Sequence, residues 1–181
     1  MQKLQDRNLN IMNKTENHQA QLEKIVVNTG IGRLSSQPNF TDKVLPAIIS
    51  EFSSIIGQKP KLRPAIKSIS GFKLREGIIV GLQATLRRKR MMQFLNKITK
   101  VVLPRVRDFR GISPKGIDGR GNLSFGIKDH LVFPEIVPEN SKVSFGVEIT
   151  VVPKHLNTRE KAVEFYKQIG IPMQKIVQKD G

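Results

Sequence analysis

Asp108 and Asp118 stand in a segment crowded with arginine, and two aspartates in such company could hold Mg²⁺ for phosphodiester cleavage. Each is embedded among arginines, however, and pairing with those cations to order the loop is the more economical role. Gly30-Ile31-Gly32 opens like a dinucleotide-binding fingerprint but lacks its third glycine, so a turn is the simpler reading. Ser68 and Ser113 have no histidine nearby in sequence to act as a base. His18, His130 and His155 lie too far apart for metal-ligand spacing and read as surface or capping residues. The absence of Cys excludes thiolate zinc, a Cys nucleophile and a disulfide framework. These residues point to a protein with no active site and no cofactor.

What remains is cation chemistry. The chain has 181 residues, with 31 Lys and Arg against 15 Asp and Glu, a formal charge of +16. Gly57 to Gly121 holds 17 of those cations and only three acids, Glu76, Asp108 and Asp118. Cations concentrated in this way repel one another and create a one-sided field, so the expected partner is a polyanion, and nucleic acid is the obvious one. Two other readings stay open on charge alone: a general compactor that binds DNA without preference, and a nuclease using Asp108 and Asp118. No apolar run approaches the roughly 20 residues that span a bilayer, and no signal-like apolar segment follows the N-terminus, so no membrane partner or export is expected. Met1 to Leu22 is rich in Asn, Gln and Lys and carries Asp6 and Glu16, unlike an acid-poor organelle transit sequence. A protein of this kind working in an organelle would have been made there.

The elements that must position these cations follow from periodicity. Glu23 to Thr29 alternates as a strand, with Ile25 and Val27 on one side, and Gly30-Ile31-Gly32 ends it. Thr41 to Ile56 places Val44, Leu45, Ile48, Ile49, Phe52, Ile55 and Ile56 at helical spacing, with Pro46 early and Gly57 after the end. Arg63 to Ile69 reads as a second strand and Val80 to Arg87 as a third, with Gly81, Gln83, Thr85 and Arg87 on its polar side. Between them Ser70 to Gly77 should project as a basic finger. Arg88 to Leu103 reads as a helix ended by Pro104, with Met91, Phe94, Leu95, Ile98 and Val102 inward. Pro104 to Gly121 has too many Gly and Pro for a regular element, and a loop this long and basic is expected to be functional. Asn122 to Lys128 and Val143 to Val152 alternate as strands. Thr158 to Ile169 reads as a last helix, with Thr158 as N-cap and Ala162, Val163, Tyr166 and Ile169 inward.

Strands that alternate need only one covered face. The expected fold class is therefore α+β, a two-layer sandwich of a mostly antiparallel sheet with helices on one face, long basic loops and a polar, solvent-facing sheet surface. One domain from residue 23 to 181 is expected, preceded by a polar tail over residues 1–22. On the sheet's polar side Asn28, Gln83 and Thr85 are placed to meet RNA directly.

Several stretches, in this order, resemble the family of the fifth protein of the large ribosomal subunit, bacterial and organellar type. They are Gly57-Gln-Lys-Pro60, Lys67-Ser-Ile-Ser-Gly-Phe-Lys-Leu-Arg-Glu-Gly77, Ala84-Thr-Leu-Arg87, Leu103-Pro-Arg-Val-Arg-Asp-Phe-Arg-Gly-Ile-Ser-Pro-Lys115, Asp118-Gly-Arg-Gly-Asn122 and Val132-Phe-Pro-Glu-Ile136. The resemblance implies a ribosomal constituent bound to 5S ribosomal RNA, and to large-subunit RNA, in the central protuberance. Family contacts with 5S RNA map onto Asn28, Gln58 and Thr85, and Lys59, Lys67, Gln83 and Arg87 beside them complete the expected rRNA set. Gly71, Phe72, Lys73, Leu74, Arg75, Glu76 and Gly77 resemble the finger that reaches peptidyl-site tRNA. Arg107, Arg110, Lys115 and Arg120 lie in the part that approaches the thirteenth protein of the small subunit in an intersubunit bridge. The chain departs from the family in its polar N-terminus, where an amphipathic helix with aromatics is usual, and at Phe145-Gly-Val-Glu148, where Arg-Gly-Met-Asp is common. Its richness in Asn, Ile and Lys fits an AT-rich genome such as a plastid's, so a plastid ribosome is the favoured location, with the bacterial cytoplasm and the mitochondrion as the alternatives.

Overall fold

In the computed structural model, residues 21–72, 74–154, 156 and 158–174 are described. Five strands, β1 (Leu22–Gly30), β2 (Lys61–Pro64), β3 (Ile79–Leu86), β4 (Leu123–Ile127) and β5 (Val147–Pro153), form one sheet in the order β2-β3-β1-β5-β4. Every strand pair in it is antiparallel. Among the described residues three helices of ten residues or more accompany it, α1 (Leu45–Ile56), α2 (Arg88–Lys97) and α3 (Arg159–Gln168). The α+β class read from the sequence is the observed one.

Alternation decides which side is covered. Ile25, Val27, Leu82, Ala84, Leu86, Leu123, Ile127, Val147, Ile149 and Val151 are all buried, and they join the inward residues of all three helices in a single apolar cluster. The helices therefore share one face of the sheet, and burying that face is the main stabilising term. Within the cluster Phe52 of α1, fully buried, meets Phe145 edge-on with ring centroids 6.5 Å apart.

Several boundaries differ from the sequence reading. The second strand runs Lys61–Pro64 rather than Arg63 to Ile69, because the chain turns at residues 66–67 and leaves Ile66 84% exposed. Leu22, assigned to the polar tail, is buried as the first residue of β1, and the carbonyl of Gln21 accepts the N–H of Lys154 at 2.8 Å. The rest of that tail, His18 included, lies outside the described residues, as does His155. Helix α1 is entered through a wide turn, Phe40–Val44, and Gly57 caps it at φ 69° in the left-handed region. Helix α2 does not stop at Pro104. It continues through a second wide turn, Ile98–Val102, and a last turn, Leu103–Arg105. Hydrogen bonding there skips a residue, with Leu103 N–H on the Ile98 carbonyl, which makes room for a proline that has no N–H to give. Strand β5 begins at Val147, not Val143. Thr158 makes no side-chain cap on α3, and the third inward residue there is Phe165, with Val163 and Ile169 only partly covered.

His130 is the clearest correction. It is fully buried, its ring stacked on Phe145 at 3.9 Å and 13°. Phe145, standing where the family commonly has Arg, therefore serves the core rather than a charge contact.

Candidate nucleic-acid interface

Antiparallel register lines up the residues of the sheet's uncovered face. Lys61 pairs with Gln83, Gln83 with Asn28, Asn28 with Glu148 and Glu148 with Gly126. The next row is Thr85, Val26, Thr150 and Ser124, and Arg63 lies opposite Gly81. Small and amide side chains make this surface shallow. Its cations Lys61 and Arg63 stand on the β2 edge, and Glu148, on β5, is the acid of the first row.

The expected rRNA residues fall into three groups. Asn28, Gln83 and Thr85 share the open face, as the alternation requires. Gln58, just past α1, is brought to them: its Nε2 donates to the Thr85 carbonyl at 3.3 Å, and its Oε1 accepts from Arg90 Nη1 at 3.3 Å. Arg87 flanks the face but is partly spent inside the fold, 3.3 Å from Glu23 Oε1. The hydrogen bond and charge of Lys24, and then those of Arg87, hold the Glu23 carboxyl below its ordinary value. Lys59 is exposed ahead of β2, whereas Lys67 sits beyond the end of β2, on the finger rather than on the sheet.

Sequence reasoning missed Lys61, Arg63 and Arg90. Arg63 donates through Nη2 to Gln83 Oε1, which places its guanidinium on the open face. Reading β2 two residues late hid the alternation of Lys61 and Arg63 about Leu62.

The finger is a ladder rather than a floppy tip. Ala65 N–H bonds to the Ile78 carbonyl (2.8 Å) and Gly77 N–H to the Ala65 carbonyl (3.0 Å), while Ile69 and Leu74 exchange both of their backbone bonds (2.9 and 3.2 Å). The Ser68 hydroxyl accepts from Glu76 N–H at 2.9 Å. Arg75 and Glu76 are exposed; the side chain of Phe72 and all of Lys73 lie outside the described residues.

The long basic loop is pinned from below. Ile112, Pro114 and Ile117 are buried, and Ile112 bonds to Pro172 (2.7 Å) and Gln174 (2.9 Å). Arg107, Arg110, Lys115 and Arg120 are left exposed. Asp118 shapes the turn before β4: Oδ1 accepts from the N–H groups of Arg120 (2.8 Å) and Asn122 (2.9 Å), and Oδ2 from Asn122 Nδ2 (2.7 Å). Desolvation would raise this carboxyl, but those hydrogen bonds and the charge of Arg120 outweigh it and hold the group below its ordinary value. Asp118 orders the loop through backbone hydrogen bonds, not through the ion pairing expected. With both oxygens engaged it is a poor metal ligand, and among the described residues no group of three or more His, Asp or Glu side chains could hold a metal ion.

One arrangement mimics a catalytic triad. Ser141 Oγ lies 3.0 Å from His130 Nε2, and Asp129 Oδ1 lies 3.4 Å from Nδ1. However, Nδ1 accepts the N–H of Phe145 at 3.4 Å, so the ring proton belongs on Nε2, which faces Glu51 Oε2 at 3.0 Å. A histidine protonated on that nitrogen cannot take a proton from Ser141, and the ring is sealed from solvent. The cluster fastens α1 to the segment before β5.

Residues 16–75 match the ribosomal protein L5 family, and residues 79–173 match that ribosomal family's C-terminus. The large ribosomal subunit protein uL5 of Halothermothrix orenii is 46% identical over 151 residues, covering 83% of this chain and 82% of its own length. The uL5 proteins of Oceanobacillus iheyensis and Macrococcus caseolyticus are 48% and 47% identical over 154 residues, each covering 85% of this chain and 83% of its own length. The chain belongs to the ribosomal protein L5 family. It is thus a structural, non-enzymatic protein of the large ribosomal subunit, of the bacterial type. The nuclease reading falls with that membership and with the engaged Asp118. These relatives are bacterial, and they lend no support to the plastid location expected from composition.

Proposed function

We propose that this L5 protein binds 5S ribosomal RNA with the β2-β3-β1 part of its open sheet face. The observation that carries the reading is the cross-strand row Lys61, Gln83, Asn28, flanked by Arg63, Thr85 and Gln58. Amides and a hydroxyl at this spacing suit the edges and 2′-hydroxyls of a shallow RNA groove, while Lys59, Lys61 and Arg63 neutralise phosphates. The ladder-stiffened finger, with Arg75 exposed and Lys67 on its flank, extends toward peptidyl-site tRNA. The pinned loop presents Arg107, Arg110, Lys115 and Arg120 to the small-subunit protein thirteen.

Filter binding of folded 5S RNA tests the first contact. Asn28→Ala should weaken 5S binding, whereas Arg75→Ala should leave 5S binding intact and weaken tRNA contact in assembled ribosomes. Equal losses for both variants in both assays would remove the assignment. Competition by duplex DNA separates this reading from a general compactor, which would show little preference for 5S RNA.

A further inference from the structure

A second kind of site lies at the other end of the sheet. Strand β4 is an edge strand, and a groove of about 960 Å³ separates it from the 105–113 segment. Apolar walls come from Phe109, Ile112, Phe125, Ile127 and Leu131. The Ser124 carbonyl points away from β5 toward Gly116, so close that it leaves no room for a Cβ there. By the alternation of a strand, the N–H and C=O of Gly126 point to the same open side, where Gly126 lines the groove. No loop or turn hydrogen bond engages either group among the described residues.

The rim is cationic. Arg105, Arg107 and Lys128 are exposed, and none forms an ion pair among the described residues. Two acids oppose them: exposed Asp108, and Asp129, whose side chain is 45% exposed although Oδ1 accepts from Leu131 N–H at 3.1 Å and Ser144 Oγ at 3.3 Å.

We propose that this groove docks an extended peptide of alternating apolar and acidic residues from another protein, added as a short strand to β4. Its backbone would pair with Gly126, its apolar side chains would enter the walls, and its carboxylates would meet Arg105, Arg107 and Lys128. RNA fits less well, because a phosphate backbone offers neither strand-spaced N–H and C=O groups nor aliphatic side chains. The proposal goes beyond the RNA-binding reading and does not rest on it; it shares only Arg107 with the bridge surface.

The test uses the full chain and a fluorescein-labelled seven-residue peptide alternating Glu with Val and Ile, read by fluorescence anisotropy. Two control peptides replace Glu by Lys, or carry N-methyl groups on alternate backbone nitrogens, which blocks strand pairing without altering the protein. The acidic peptide should bind saturably, and each control should bind at least about tenfold more weakly, as expected when charge matching or edge hydrogen bonds are lost. Phe109→Ala should reduce peptide affinity about tenfold while 5S RNA binding, unchanged, shows that the variant is folded. No saturable binding, or equal binding of the N-methylated peptide, overturns the proposal. A twelve-nucleotide oligouridylate that binds with a loss on Phe109→Ala, and displaces the peptide, would also overturn it by making RNA the occupant.

Discussion

The stretch from Gly57 to Gly121 and the stretch 122–174 contribute alike to the fold but differ in charge. The first supplies β2, β3 and α2, the second β4, β5 and α3, and both send apolar side chains into one core. Yet the first holds 17 cations against three acids, and the second six against six. Folding a layer onto a sheet therefore does not call for the cations. They sit where a polyanion is to lie, and the balanced half shows what the same architecture looks like without that duty.

The comparison breaks most sharply if core and charge prove interchangeable. Phe145→Ala, in the balanced half, removes the ring that stacks on His130 and abuts Phe52. It should cost about 3–5 kcal/mol of stability in denaturant titration, while the folded fraction keeps its RNA affinity. Lys61→Glu with Arg63→Glu, in the basic half, should do the opposite: unchanged stability within about 0.5 kcal/mol and 5S RNA binding weakened about a hundredfold near 0.1 M salt, with a shallower salt slope. Lys161→Glu with Lys167→Glu on α3 is the matched control and should change affinity by no more than about threefold.

Asn28→Ala should be milder, roughly fivefold in 5S RNA affinity, because one amide contact is worth about 1 kcal/mol net. The smallest effect concerns Asp118. Its folded value is depressed, so its stabilisation of the turn is complete above the ordinary value of 3.8 and is lost as pH falls through the lower folded value. The amide resonances of Arg120 and Asn122 should titrate with a midpoint below 3.8; a midpoint at or above it would contradict the turn geometry.

Most of the fold was legible because apolar alternation and helical spacing are strong local signals. Ile25 and Val27, Leu82 to Leu86, and Met91 to Val102 were read with the correct faces. The failures came where tertiary contacts override local pattern. Arg63 to Ile69 looks like a strand, but the chain turns at 66–67, and that misreading concealed Lys61 and Arg63. His130 carries no sequence mark of burial, since only the fold brings Phe145, Ser141 and Glu51 around it. Pro104 signals a helix end, yet a wide turn absorbs it. Of the candidate site, Asn28, Gln83 and Thr85 follow from parity alone, whereas the junction of Gln58 with Thr85 and Arg90 needs the packing of α1 beside β3.

Lysine acetylation read by mass spectrometry, with and without bound 5S RNA, tests the division of labour most directly. Lys59 and Lys61 should be strongly protected by the RNA, and Lys161 and Lys167 should react at unchanged rates. Equal protection at all four, or protection confined to α3, would contradict the account.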